Sequence, residues 1–374
     1  MYTSQRRMPA TAGAIPPLLW DEMTLRNWLV AILVAVAAAL FAFATLAPRQ
    51  TPTPDNVAYV AMASGKPAQA PFCFRILVPF VAGLLPLPPL AALRVITCVC
   101  MAGVYLCGLY LCNKEGVNIA ASLPALLLLY CSRPNLFNYY NPYLTDAAGW
   151  LIIFVLCIAF VKGWYSSFIA VATIGALVRE SALFPCAAWL LNQRTRRLAA
   201  LLLIPAIMFL LPRLMVHAQQ GYSDYILSEA TARPNFSPKQ VLYGLFMSWG
   251  GLWILAGYGI TRCSKELWAV AAALACGAVA GSIVITAGDY ERMLGVLAPV
   301  ILVACGKALQ VARRVFPLGF GAILCCAPLQ FLLGSPHVLF EEGHAYRVGL
   351  VLSTSLTTGV AIGLVLVLHR SGRH

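Results

Sequence analysis

Charged residues are scarce in this chain, and those that interrupt its apolar stretches are of types that move protons and hold phosphates. Asp55 opens a short polar stretch with Asn56 and Tyr59. A carboxylate there can take the proton of an attacking hydroxyl, and the same residue suits the start of a helix. Arg75 stands between apolar and aromatic neighbours in Phe-Cys-Phe-Arg-Ile-Leu-Val-Pro. Its planar fork can bind two phosphate oxygens at once, although an arginine snorkelling to lipid headgroups would look the same. Asp146 heads an apolar run, after Asn138, Tyr139, Tyr140, Asn141 and Tyr143. A carboxylate in the first turn is favoured by the helix dipole. The tyrosines and asparagines before it could hold a sugar or its carrier, or form an interfacial aromatic belt.

The least expected pair is Arg179-Glu180, inside Gly-Ala-Leu-Val-Arg-Glu-Ser-Ala-Leu-Phe. A central arginine costs about 2.5–3.5 kcal/mol on a membrane-insertion scale, so charges at such depth point to function. An ion pair between the two would lower that cost. Asp289 and Arg292 lie three apart in the turn Gly-Asp-Tyr-Glu-Arg and could share one helical face. His217, His337 and His344 have no metal-binding spacing, and no Gly-x-Ser-x-Gly elbow or phosphate loop occurs. The 13 cysteines sit mainly in apolar runs without Cys-x-x-Cys pairs, so they read as small packing residues.

The elements that must carry these side chains are apolar helices. Of 374 residues, 61% are hydrophobic and 10% charged, with a mean hydropathy of +0.81. Soluble domains carry roughly a quarter charged residues, so the composition implies an integral membrane protein in a lipid bilayer. The expected fold class is all-α, one polytopic bundle over 1–374 with a cytoplasmic segment at 1–26. Apolar runs near 27–47, 90–112, 117–132, 144–162, 165–178, 181–192, 198–216, 241–261, 267–286, 293–309, 316–334 and 348–368 suggest about ten to twelve transmembrane helices. The first run is long enough to be a retained signal-anchor. Runs 165–178 and 181–192 are too short to span alone, and read as a hairpin or as shortened helices with a protein-lined junction. Segment 73–89, within the first outer loop 48–89, is apolar but Pro-rich, and suits a short interfacial helix.

The net charge of +13 could suggest nucleic acid, but the basic residues are spread over short loops and serve better as topology signals. They place both termini in the cytoplasm, while most acids, with Arg75, Arg133, Arg213, Arg233, Arg292 and Arg347, fall outside. No nucleic-acid partner is expected.

Taken in order, Asp55-x-x-x-Tyr59, Phe-Arg-Ile-Leu-Val-Pro, Thr145-Asp146, Arg-Glu-Ser-Ala-Leu and Gly-Asp-x-x-Arg resemble bacterial GT-C superfamily membrane glycosyltransferases. The resemblance covers the layout of most of the chain. It implies a polyprenyl-phosphate-linked sugar donor, an acceptor that is a glycan, lipid or protein, and transfer by an inverting mechanism at the periplasmic face of the inner membrane, in building a cell-envelope glycan. Asp55 would be the catalytic base. Arg75, Arg179 and Arg292 would bind the lipid phosphate, and Tyr59, Tyr143, Asp146, Glu180 and Asp289 would position donor or acceptor. No cofactor is implied, and a divalent metal is left open. The chain departs from the family in having Asn56, not a second acid, beside Asp55, and in lacking a large C-terminal outer domain. A polymerase or ligase using lipid-linked donors, and a lipid-linked sugar flippase, are the alternatives. Transport sites normally lie at mid-membrane between repeated halves, and neither feature is evident here.

Overall fold

The computed structural model describes residues 25–46, 53–216, 238–285, 290–334 and 344–371. Among them every regular element is helical. In chain order the α-helices are α1 (Leu25–Thr45), α2 (Pro54–Ala63), α3 (Leu77–Leu84), α4 (Pro89–Lys114), α5 (Ile119–Tyr130), α6 (Arg133–Tyr140), α7 (Asp146–Lys162), α8 (Tyr165–Gly175), α9 (Ala188–Leu191), α10 (Gln193–Arg196), α11 (Leu203–Met215), α12 (Pro238–Trp249), α13 (Gly251–Ile260), α14 (Lys265–Ile285), α15 (Tyr290–Gly295), α16 (Ala298–Val315), α17 (Pro317–Gly334) and α18 (His344–Ser371). Short 3-10 turns cover Phe72–Phe74, Glu180–Ala187 and Ala199–Leu202.

Among the described residues three helices are long and apolar enough to cross a membrane: Trp28–Thr45 within α1, α4 and α18. Their packing inverts the pattern of a soluble protein. In α1 the small residues Ala31, Ala35, Ala39 and Ala42 are buried, whereas Leu29, Leu33, Leu40 and Phe41 point away from the protein. The four- and three-residue spacings of the alanines put them on one face, which lets α1 lie close against α4. Leu84, Leu203, Leu214, Leu318 and Leu352 are likewise largely exposed. Such a surface suits hydrocarbon, because in water each of these leucines would forgo its burial energy.

Inside this shell the inner bundle is built from α4, α5, α7, α13 and α16, whose buried side chains, Tyr105 and Phe154 among them, form one continuous core with Trp189 of α9 and Trp249 of α12. Helices α13 and α16 approach so closely that a Cβ on Gly259 would fall on the carbonyl of Ala304. The run expected as one helix over 241–261 is two: Gly250 takes φ +48°, ψ −125°, a conformation closed to most other residues, and separates α12 from α13.

The charged junction at 179–180 also departs from regular helix. Helix α8 stops at Gly175, Arg179 is extended (φ −167°, ψ 147°), and Glu180 begins a 3-10 turn. Arg179 is buried there. This corresponds to the shortened-helix alternative, with its junction inside protein, where lost helical bonds are replaced by other partners. The helix start offered by Asp55 is present as α2, while α6 lies where no helix was expected, and both carry proline in the first turn. The short helix expected within 73–89 is α3, and it exposes Phe80 and Leu84.

Candidate functional site

Six separate stretches converge at one end of the bundle. Thr53 caps α2 by accepting a hydrogen bond from the Asn56 N–H at 3.3 Å, so the cap is Thr53, and Asp55 stands in the first turn. There the helix dipole favours its carboxylate. Asp146 holds the same place in α7. The break after α8 supplies Arg179 and Glu180, the end of the Phe72–Phe74 turn supplies Arg75, and α15 supplies Arg292. The last turn of α11 supplies Arg213.

The pairing is not the one that adjacency suggests. Arg179 reaches Asp146, and Glu180 turns to two other arginines. Arg292 makes a two-pronged bond to Asp146, Nε to Oδ1 at 3.2 Å and Nη2 to Oδ2 at 2.9 Å. Its Nη1 donates to Asp55 Oδ2 at 3.2 Å, and the guanidinium lies over the Phe137 ring at 5.6 Å. Asp146 is therefore held between two guanidinium groups.

Glu180 forms the second centre. Arg75 Nε donates to its Oε2 at 2.9 Å, and Arg213 Nη2 donates to its Oε1 at 2.8 Å. Arg75 Nη1 also donates to the Tyr59 hydroxyl at 2.9 Å, which lies 3.5 Å from Thr145 Oγ1. Tyr59 thereby links the two centres through the residue just before Asp146. Burial opposes the charge on Arg75, but Glu180 and Tyr59 outweigh it and keep the guanidinium's pKa raised. Arg213 is sandwiched by aromatic rings, 3.6 Å from the Phe209 centroid and 5.1 Å from that of Phe74.

Four arginines thus meet three carboxylates among the described residues. Side-chain exposure separates the acids: 5% for Asp146, 13% for Glu180 and 23% for Asp55. Asp55 is the most open of the three, and Arg292 is its one partner in an ion pair among the described residues. It is the carboxylate most accessible to an arriving group.

Of the residues singled out from the sequence, Asp55, Tyr59, Arg75, Asp146, Arg179, Glu180 and Arg292 all join this network. Tyr143 does not: it packs beside Tyr59, Ala58 and Phe137 in an apolar cluster, and burial raises its phenol's pKa. Asp289 lies outside the described residues. The sequence grouped Arg213 with the arginines expected outside but gave it no role. Its signal was an arginine in the last turn of a strongly apolar helix, Leu-Leu-Pro-Arg-Leu-Met, where a lipid-facing leucine would be expected. Among the described residues no group of histidine, cysteine and acid side chains is arranged to hold a metal. Compared with known proteins, the chain matches no family model and no curated protein sequence.

Proposed function

We propose that this protein is an inner-membrane glycosyltransferase of GT-C type, with roughly ten to twelve membrane passes counting shortened helices. It moves a sugar from a polyprenyl-phosphate carrier to an acceptor hydroxyl at the periplasmic face, and both termini are cytoplasmic. The observation that carries this reading is the buried network of four arginines beside one comparatively open carboxylate.

The reaction uses the site as follows. The acceptor oxygen attacks the anomeric carbon and loses its proton to Asp55. The bond from that carbon to the phosphate oxygen breaks, and its electron pair stays on the phosphate. The carrier passes from a singly charged diester to a phosphate that develops a second negative charge. Arginines fixed in advance around that oxygen stabilise the developing charge without reorganising. Arg75, Arg179 and Arg292, joined by Arg213, are the groups for this task. Asp146 and Glu180 hold them in place, and Tyr59 orients Arg75. Asp146 is clamped by two guanidinium groups and Glu180 by two others, which makes both poor bases. Phosphate competing for Arg292 would also release Asp55 from its ion pair.

The test is thermal unfolding of the detergent-purified protein with polyprenyl phosphate. Wild type and Asp55→Asn should be stabilised, and Arg75→Ala much less so. Folded wild type that gains no stability at any carrier chain length would overturn the lipid-carrier reading.

A further inference from the structure

Helix α4 carries a fifth arginine that stands outside the network. Arg94 enters no ion pair among the described residues, and its Nε is buried with no hydrogen-bond partner. The guanidinium lies over the Phe43 ring of α1 at 4.7 Å. Phe43 stands two residues before the end of α1, about 3 Å of helical rise. Leu90, one turn earlier on the same face of α4, is exposed, as is Val95, so this stretch borders the apolar outer surface. Thr97, three residues further along that face, donates its hydroxyl to the Pro142 carbonyl at 2.9 Å. That bond holds the segment before α7 against α4. The charge of Arg94 reaches the Tyr143 phenol there, countering part of the rise in pKa that burial causes. The Tyr143 hydroxyl has no hydrogen-bond partner among the described residues. Its ring packs in the cluster that holds Leu93 and Tyr59, and Tyr59 accepts the hydrogen bond from Arg75 at 2.9 Å.

A buried N–H without an acceptor is costly, and such groups are few in native proteins. The arginines of the network are matched with carboxylates, which an arriving phosphate must displace. Arg94 has no acid to give up. A guanidinium only donates and a phenol hydroxyl can donate, a set that suits phosphate oxygens, which accept. An arginine that merely snorkels keeps its head free in water. Arg94 instead has its plane set by the Phe43 ring and its Nε closed off.

We propose that Arg94 and Tyr143 form an outer docking site for the phosphate of the polyprenyl carrier, at the seam where α1 meets α4. This rests on the carrier reading above and adds the step before it. The carrier's chain lies along the exposed Leu40, Val95 and Val99 of the two helices. Its phosphate is held first by Arg94 and Tyr143, then passes Tyr59 to reach Arg75.

The experiment mixes full-length protein in detergent with polyprenyl phosphate and measures association rate and equilibrium affinity, with phosphatidylglycerol as a competing lipid. Arg94→Gln should slow carrier association roughly tenfold and Tyr143→Phe roughly threefold, the worth of a charged and of a neutral hydrogen bond. Equilibrium affinity should stay within about threefold of wild type, because the network that finally holds the phosphate is intact. If Arg94→Gln does not fold, Arg94→Lys keeps the charge without the fork, and Tyr143→Phe removes a hydroxyl alone. Wild-type association rates in the variants overturn the dock and leave the carrier reading standing. Affinity that falls as far as the rate places both residues in the final site and overturns the docking order. Phosphatidylglycerol that blocks association in wild type but not in Arg94→Gln overturns the carrier assignment in favour of bulk phospholipid. Folded wild type that binds no polyprenyl phosphate overturns the carrier reading and the dock with it.

Discussion

The two ends of the bundle bury carboxylates in opposite ways. At the far end, Glu115 closes helix α4 and is buried. It takes the Ser264 N–H at 3.0 Å and the Ser264 hydroxyl at 2.7 Å, and that serine in turn caps α14 through the Leu267 N–H at 3.1 Å. Beside it the Asn118 N–H donates to Gln310 Oε1 at 3.0 Å. The bonds to Glu115 come from neutral groups, and they join loop to helix start. At the near end, Asp146 and Glu180 are each gripped by two arginines drawn from distant parts of the chain. A clasp needs only enough donors to satisfy one acid. Four arginines exceed that need, and burying them costs several kcal/mol per ion before pairing repays it. The difference marks the near end as the place where the molecule accepts the cost of clustered buried charge.

The largest effect should come from breaking the near end. Asp146→Ala leaves Arg179 and Arg292 facing an empty position and should cost about 3–5 kcal/mol. Thermal unfolding in detergent will read this, and Asp146→Leu combined with Arg179→Met should recover part of the loss. A loss under about 1 kcal/mol would place this pairing with the ordinary surface salt bridges. Asp55→Asn should lower sugar transfer by roughly a hundred- to ten-thousand-fold, the range of general-base catalysis. Stability should change by under about 1 kcal/mol, since Asp55 is the most exposed of the three acids. Equal transfer rates in the two proteins would remove Asp55 from the mechanism.

At the far end the effect should be smaller and purely structural. Glu115→Ala removes the acceptor for Ser264 and should cost about 1–3 kcal/mol, while stabilisation by polyprenyl phosphate is unchanged. Loss of that response would mean that the two ends are coupled. The smallest effect is expected for Gly149→Ala, one turn below Asp146. A Cβ there would meet Arg179 Cδ at 3.5 Å, an ordinary contact. Stability should rise by up to about 1 kcal/mol from helix propensity, and carrier binding should be retained. A clear loss of binding would show that the arginine stem is seated more tightly than its contacts imply.

Much of the scaffold was legible because apolar runs in lipid have few alternatives to helix. Runs near 27–47, 90–112 and 348–368 correspond to α1, α4 and α18. Breaks were harder to read. Gly250 is one of 28 glycines, and only its backbone angles distinguish it. Helix α6 was hidden because Arg-Pro-Asn-Leu-Phe-Asn-Tyr-Tyr has no apolar periodicity. The candidate site was legible as a list of charges on one face, but its partners were not. The bonds that build it join residues 16, 86, 105, 146 and 237 positions apart.

What the sequence determined by itself was composition: which stretches prefer hydrocarbon, and which charges would be costly to place among them. The tertiary structure alone decided the pairing. Arg179 and Glu180 are neighbours, yet the extended backbone at Arg179 sends one side chain to Asp146 and the other to Arg75 and Arg213. That choice depends on where α7, α11 and the Phe72–Phe74 turn come to rest. Local sequence carries little information about which of several equal and opposite charges will arrive within 3 Å. Coulomb attraction is indifferent to identity, and packing selects the partner.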